Sequence, residues 1–309
     1  MSVSSVSTLS ARPVSGVSFL VLAGLLWGTG GLLGRMLGEQ SGMSPIAVST
    51  YRLAVGGALI CLFLLATGRR VPRTAAAWRR VVVIGALAAL FQGCYFAAVS
   101  LTTVSIATLV TIGTGPVVVL VVERLTGRGR GGLRPVLAVA LALVGLVLLV
   151  GLPAAGAGDV LAGAALAVLS GCGFAAMTLV SARPVAGLDA PACTGVAFLL
   201  GGALLAPLSL VGSPTGLSFT PDATSLLLLA LFGTVPTALA YSFYFRGLGS
   251  ASAGIGVLMS LIEPLTAAVL AALLLGDRLG VVGVIGAVLL GTAVLLGGLP
   301  QRAARERSS

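Results

Sequence analysis

Ser44 to Leu59 reads SPIAVSTYRLAVGGAL, and Ala190 to Leu204 reads APACTGVAFLLGGAL. The likeness continues along the chain. YFAAVS at Tyr95–Ser100 answers to YFRGLG at Tyr244–Gly249, and VLLVGLP at Val147–Pro153 answers to VLLGGLP at Val294–Pro300. Pro116 answers to Pro264. All these pairs are offset by 145 to 149 residues. Several matches in order at one offset mark an internal duplication, with halves at residues 1–153 and 154–309.

What was duplicated follows from composition. The 309 residues are 58% hydrophobic and only 8% charged, with a mean hydropathy of +1.15. A soluble domain carries about a quarter of its residues charged, so the chain is a polytopic membrane protein. About 20 apolar residues cross the hydrocarbon core as a helix. Runs of that length predict ten spans, near 17–37, 45–66, 81–101, 104–122, 135–152, 160–180, 191–211, 225–247, 251–275 and 281–299. The expected fold is all-α, with ten transmembrane helices in two five-helix repeats.

Five is odd, so the second repeat enters the bilayer from the opposite side. The halves form an inverted-topology pair, an arrangement typical of secondary transporters, whose sites lie near the midplane between repeats. The expected division is a tail at 1–16, repeats at 17–153 and 154–299, and a tail at 300–309. The Ser-rich first sixteen residues lack a secretory cleavage pattern. The connections are too short for an extramembrane domain.

Net charge is +10, and there is no lysine. Nucleic acid is not the expected partner, because the arginines sit between spans. Arg69, Arg70, Arg73, Arg79 and Arg80 fall between spans two and three, Arg124, Arg128, Arg130 and Arg134 between four and five, and Arg302, Arg305 and Arg307 in the tail. The opposite connections carry Glu39, Asp159 and Asp222. By the positive-inside rule both termini are cytoplasmic, with the cytoplasmic membrane as location. Cys61, Cys94, Cys172 and Cys193 lie inside spans and read as small apolar residues, without metal spacing.

Small residues should let helices approach closely: Gly24 with Gly28, Gly30 with Gly34 and Gly38, and Gly283 with Ala287 and Gly291. Away from span ends two ionisable groups remain, Arg52 in span two and Glu263 in span nine. A charge at the bilayer centre costs about 2.5–3.5 kcal/mol on insertion scales. Neither has a counterpart in the other repeat, where Gly115 matches Glu263 and Ala197 or Phe198 matches Arg52. They are expected to line a central cavity, with two structural alternatives: an Arg52–Glu263 ion pair, or Arg52 bonded to exposed carbonyls near a broken helix. A guanidinium grips carboxylates or phosphates, and a carboxyl holds an amine or takes a proton. Together they suit a zwitterion such as an amino acid.

Pro264 should kink span nine beside Glu263, and Pro116 should kink span four. Those two spans are therefore expected to line the cavity, with Pro236 as a third bend in span eight. Trp27, Tyr51, Gln92, Tyr95, Tyr241 and Ser260 complete the expected substrate site. Tyr95, Tyr241, Tyr244 and Phe245 lie toward span ends, where an interfacial aromatic belt is an equal reading. Arg35, Arg246 and Arg278 at span ends are explained by snorkelling.

LLWGTGG at Leu25–Gly31, Pro45 with Arg52, and SLIEPLTAAVLAALLLGDRLG at Ser260–Gly280 together resemble the EamA-type branch of the drug/metabolite transporter superfamily, over nearly the whole chain. One departure is that Glu123 follows Pro116 by seven residues while Asp277 follows Pro264 by thirteen. The resemblance implies a ten-helix basket around a central cavity that moves small metabolites, often amino acids, outward.

An intramembrane enzyme is not expected: there is no histidine, and no Asp lies in a span. The expected function is a secondary carrier exporting a small polar or amphipathic metabolite, driven by exchange or by a proton on Glu263. It needs no cofactor or metal, and it is a monomer or homodimer in the bilayer. The alternatives are a multidrug exporter of cationic compounds and, in a different class, a lipid flippase.

Overall fold

The computed structural model describes residues 16–69, 73–127, 132–151, 159–212, 216–274, 276 and 280–298. The tails, and with them Arg302, Arg305 and Arg307, lie outside the described residues, as do Arg70, Arg128, Arg130, Asp277 and Arg278. Among the described residues there is no strand, only an isolated bridge between Val185 and Leu188.

Among the described residues the helices group into ten spans. Span one is α1 (Gly16–Trp27) and α2 (Gly30–Ser41). Spans two to seven are α3 (Pro45–Ala66), α4 (Ala75–Leu101), α5 (Val104–Leu125), α6 (Arg134–Val150), α7 (Val160–Ser181) and α8 (Ala190–Gly212). Span eight is α9 (Ala223–Gly233), a π-helical turn (Thr234–Leu239) and α10 (Ala240–Leu248). Span nine is α11 (Ala253–Met259) and α12 (Ile262–Leu274), and span ten is α13 (Val281–Gly298). Nine of the spans are long and apolar enough to cross a bilayer unaided. The tenth, α6, is shorter at 17 residues, about 26 Å at the α-helical rise.

Helix starts follow ordinary capping rules. Ser44, Thr74 and Thr103 each accept a backbone N–H three residues on, and Pro45 occupies the first turn of α3, where its missing donor costs nothing. The cap at Thr74 starts α4 earlier than expected. Arg79 and Arg80 therefore ride on its first turns instead of lying in a connection.

The repeats interlock across the inferred two-fold. Spans two and seven (α3 with α8) and spans five and ten (α6 with α13) pair with their own counterparts. Span three lies on spans six and seven, and span one lies on spans eight and nine. Glycines set these distances. A Cβ at Gly145 would stand 2.6 Å from the Leu290 nitrogen, and one at Gly286 2.3 Å from the Leu149 nitrogen. The contact face of α13 is thus the Gly286–Leu290–Ala293 stripe. Gly291 looks onto open space, which corrects the expected Gly283–Ala287–Gly291 face. Gly24 and Gly28 do make the close approach expected of them, against Ile262 and Thr266 of α12.

Three spans are interrupted. Span one breaks at Gly28–Thr29 and span nine at Ser260–Leu261. Pro264 sits three positions into α12, where no intrahelical acceptor is needed; the turn it cannot extend backward is the one that is broken. Span eight carries Pro236 in its π-helical turn, where the Thr237 hydroxyl donates to the Phe232 carbonyl at 2.8 Å. Pro116, by contrast, does not interrupt α5, which continues from Val104 to Leu125. A proline removes one donor and tilts the turn before it, but it need not end a helix.

Candidate substrate cavity

A cavity of about 560 Å³ runs from Trp27 and Glu263 up to the α2–α3 and α4–α5 connections. Its walls are mostly the first repeat. Gly30, Gly34 and Gly38 of α2 form one side, and Ser49 and Arg52 of α3 form another. Phe91, Gln92, Tyr95 and Phe96 come from α4, and Thr108 and Thr111 from α5. The second repeat adds Phe232 and Glu263. Span nine therefore contributes one carboxyl to the lining, and spans one to three do most of the work expected of spans four and nine.

Arg52, Glu263, Trp27, Gln92 and Tyr95 all line this space. Arg52 is anchored by the irregular turn of span eight. It donates from Nε to the Thr237 hydroxyl at 3.1 Å and from Nη2 to the Pro236 carbonyl at 3.3 Å, with its guanidinium over the Phe232 ring at 5.1 Å. A proline cannot donate, so this turn has carbonyls to spare, and a guanidinium with five donors satisfies them. Arg52 thus holds the broken helix and faces the cavity at once. Among the described residues no ion pair within 4.0 Å joins it to Glu263. Gln92 accepts from Ser49 at 3.0 Å, and the Tyr95 and Thr108 hydroxyls lie 2.8 Å apart.

Three expected residues lie elsewhere. Tyr51 donates to the Leu217 carbonyl at 2.8 Å and its ring meets Phe219, so it ties α3 to the connection after α8. Ser260 is buried and donates to the Val257 carbonyl at the span-nine break. Tyr241 is buried beneath the cavity, against Trp27 at 4.9 Å and Phe198 at 4.6 Å. With Tyr244, Phe245 and Phe174 it forms an aromatic plug, not an interfacial belt. The indole N–H of Trp27, at the junction of plug and cavity, is buried without a hydrogen-bond partner. Residues that sequence reasoning did not single out include Phe91, Phe96, Phe232 and the ion pair of Arg35 with Glu39 at the mouth, 2.7 Å.

The cavity reaches the surface at one end of the bundle. Its mouth lies where Glu39, Pro45, Val99 and Val104 end or begin their spans. Toward the arginine-rich end the aromatic plug closes it. Beyond the plug, Glu123 at the end of α5 accepts the Gly254 N–H of α11 at 3.0 Å, and Arg134 donates to the Leu296 carbonyl at 2.6 Å. Among the described residues no group of metal-ligating side chains is assembled. The arrangement can bind a small polar molecule between a cation and a carboxyl, flanked by aromatic rings.

The profile of the EamA-like transporter family matches residues 14–151 and again 161–298. The chain is similar to the uncharacterized transporter YwfM of Bacillus subtilis (strain 168), 30% identical over 84% of this chain and 86% of that protein. It is also similar to the uncharacterized inner membrane transporter YicL of Salmonella typhimurium (strain LT2), at 25% identity over 93% and 96%. A crystal structure 22% identical superposes with a TM-score of 0.78, covering 91% of this chain and 95% of that one, a likeness of fold. Two family matches on an inverted pair of five-helix repeats, with a cavity open to one side, make this chain a multi-pass membrane transporter belonging to the EamA-like transporter family.

Proposed function

We propose that the protein exports a small zwitterionic or amphipathic metabolite, an amino acid or a close relative, by alternating access. The observation that carries this reading is that Arg52 and Glu263 face one cavity of about 560 Å³ without pairing to each other. That size falls within the range of about 300–1,000 Å³ typical of small-molecule sites. The Arg52 guanidinium would receive the substrate carboxylate and the Glu263 carboxyl its amine, while Trp27, Phe91 and Tyr95 would receive the apolar part.

The arginine-rich end is assigned to the cytoplasm by the positive-inside rule, which puts both termini inside and the mouth of the cavity outside. In the conformation described the substrate would leave. The inward-open state would form by opening the Glu123–Gly254 end and closing the mouth. Glu263 is the group proposed to couple a proton. One proton moved across 100 mV supplies about 2.3 kcal/mol, enough for a modest gradient.

The test is transport by Glu263→Gln in reconstituted vesicles. The expected result is that uptake no longer responds to an imposed pH gradient. Normal rate with normal pH dependence would remove Glu263 from the coupling role. A cationic-drug exporter is the second reading, favoured by the aromatic lining beside Glu263. A positive Arg52 in the same cavity opposes it, and competition by cationic dyes but not by amino acids would reverse that preference.

A further inference from the structure

A second cavity, of about 240 Å³, lies at the arginine-rich end, separate from the substrate cavity. Its walls come from four spans and one connection. Arg80 stands on the first turns of α4, Arg183 in the α7–α8 connection and Arg246 in the last turn of α10, with Cys193 in the first turn of α8. Three arginines from three elements line one hollow. Arg80 gives one Nη to the Val180 carbonyl, and the Arg246 guanidinium sits over the Phe19 ring at 4.9 Å, a contact that uses none of its N–H donors. Arg183 forms no ion pair among the described residues.

The one acidic residue of the lining, Asp189, is already matched. It accepts the Ala192 N–H at 2.8 Å and pairs with Arg69 at 3.5 Å. The hollow is therefore left cationic, and like charges held together there repel unless an anion joins them. Guanidinium groups fit phosphate oxygens in paired, directional bonds, and three of them from three elements suit a tetrahedral anion better than a planar carboxylate. The depth is also right. Trp78, two residues before Arg80, is half exposed on the same turns of α4, the position of an interfacial anchor. Basic pockets between helices at that level bind anionic headgroups.

We propose that Arg80, Arg183 and Arg246 form a phosphate-binding site, filled by the headgroup of an anionic phospholipid. The site is independent of the transported substrate.

The test uses the full-length protein, stripped of lipid in detergent and titrated with phosphatidylglycerol, with phosphatidylcholine or with inorganic phosphate while thermal unfolding is followed. A bound ligand raises Tm with the logarithm of its concentration. Phosphatidylglycerol is expected to raise Tm and phosphatidylcholine to leave it unchanged. In Arg183→Gln/Arg246→Gln the phosphatidylglycerol midpoint should move to about thirtyfold higher concentration, about fivefold per arginine. A rise with inorganic phosphate that the double variant abolishes, with no response to phosphatidylglycerol, would keep the phosphate chemistry and make a free phosphate its source. Unchanged responses in the double variant, or an equal response to phosphatidylcholine, overturn the site. Should the double variant be unstable, native mass spectrometry of the two single variants counts retained phosphatidylglycerol directly, and undiminished retention is the refuting result.

Discussion

The carboxylate of Glu123, at the end of span four, accepts the backbone N–H of Gly254, in the first turn of span nine, at 3.0 Å. The acceptor sits where a helix presents unbonded donors and partial positive charge, and it joins the two repeats at the end where the cavity is closed. A hydrogen bond to a charged group contributes about 1.5–3 kcal/mol. Glu123→Ala should therefore shift the closed-to-open ratio at this end by about tenfold or more. Hydrogen exchange of segment 253–259 measures it, and Glu123→Gln, which keeps an acceptor, should lie between the variant and the parent. An unchanged exchange rate in the alanine variant would mean that the plug alone holds this end.

Arg52 holds the π-helical turn and is proposed to receive the substrate, and two substitutions separate these roles. Lysine lacks the planar fork that reaches the Pro236 carbonyl and the Thr237 hydroxyl while covering the Phe232 ring. Arg52→Lys should lower stability by about 1.5–3 kcal/mol, the net worth of a charge-assisted bond, yet keep measurable binding. Arg52→Gln should express and fold but lose substrate binding, read by tryptophan fluorescence or by isotope uptake. If Arg52→Gln transports normally, the residue serves only the π-helical turn.

The α6–α13 contact allows a sharp pair of variants. A Cβ at Gly286 meets backbone, 2.3 Å from the Leu149 nitrogen and 2.7 Å from the Gly145 carbonyl oxygen, and backbone cannot swing aside. Gly286→Ala should cost about 1–3 kcal/mol. Gly291→Ala, one turn and a half along the same helix, adds a methyl with nothing within 4 Å. It should be neutral or gain up to about 1 kcal/mol from helix propensity. Thermal unfolding in one detergent compares them.

Asp222 caps α9 through the Ser225 backbone and receives the Gln40 side chain at 2.8 Å, linking the ends of spans one and eight. The Ser225 N–H first, and then the Gln40 amide, hold its carboxyl below the usual carboxylate range. A depressed folded value means that this stabilisation is present above the unfolded value, near 4, and is lost as pH falls through the folded one. Asp222→Ala should lower Tm at neutral pH and narrow the gap to the parent on acidification. A gap that stays constant down to the acid end would show that the cap does not depend on the charge.

Span number was legible because the bilayer writes it in composition, where runs of apolar residues must be long enough. The repeat was legible from matched stretches at one offset, and the family from the motifs at Leu25–Gly31, Pro45 with Arg52, and Ser260–Gly280. Arg52 and Glu263 stood out as charges in hydrocarbon. Helix rotation was not legible. Lipid tails are as apolar as a protein core, so α13 shows no stripe to separate Gly286 from Gly291, and nothing in the sequence told a cavity-facing Tyr95 from a buried Tyr241 or a loop-tied Tyr51. The breaks were only half legible. Pro264 and Pro236 pointed to two of them, whereas Gly28–Thr29 carries no proline and Pro116 sits in a continuous helix. A proline states where a donor is missing and leaves it to the neighbours to decide how far the backbone bends.

Two matched prolines are thus treated unequally, one in a continuous helix and one beside a break. Under the alternating access proposed above, twin halves wearing different shapes would be two frames of one movement, each half carrying the other's posture as its alternative. Trading them would reverse the vestibule: α5 would fold at Pro116 while span nine straightens through Ser260. The duplicated gene would thus have stored both ends of the stroke, and the portrait of one end doubles as a negative of its opposite.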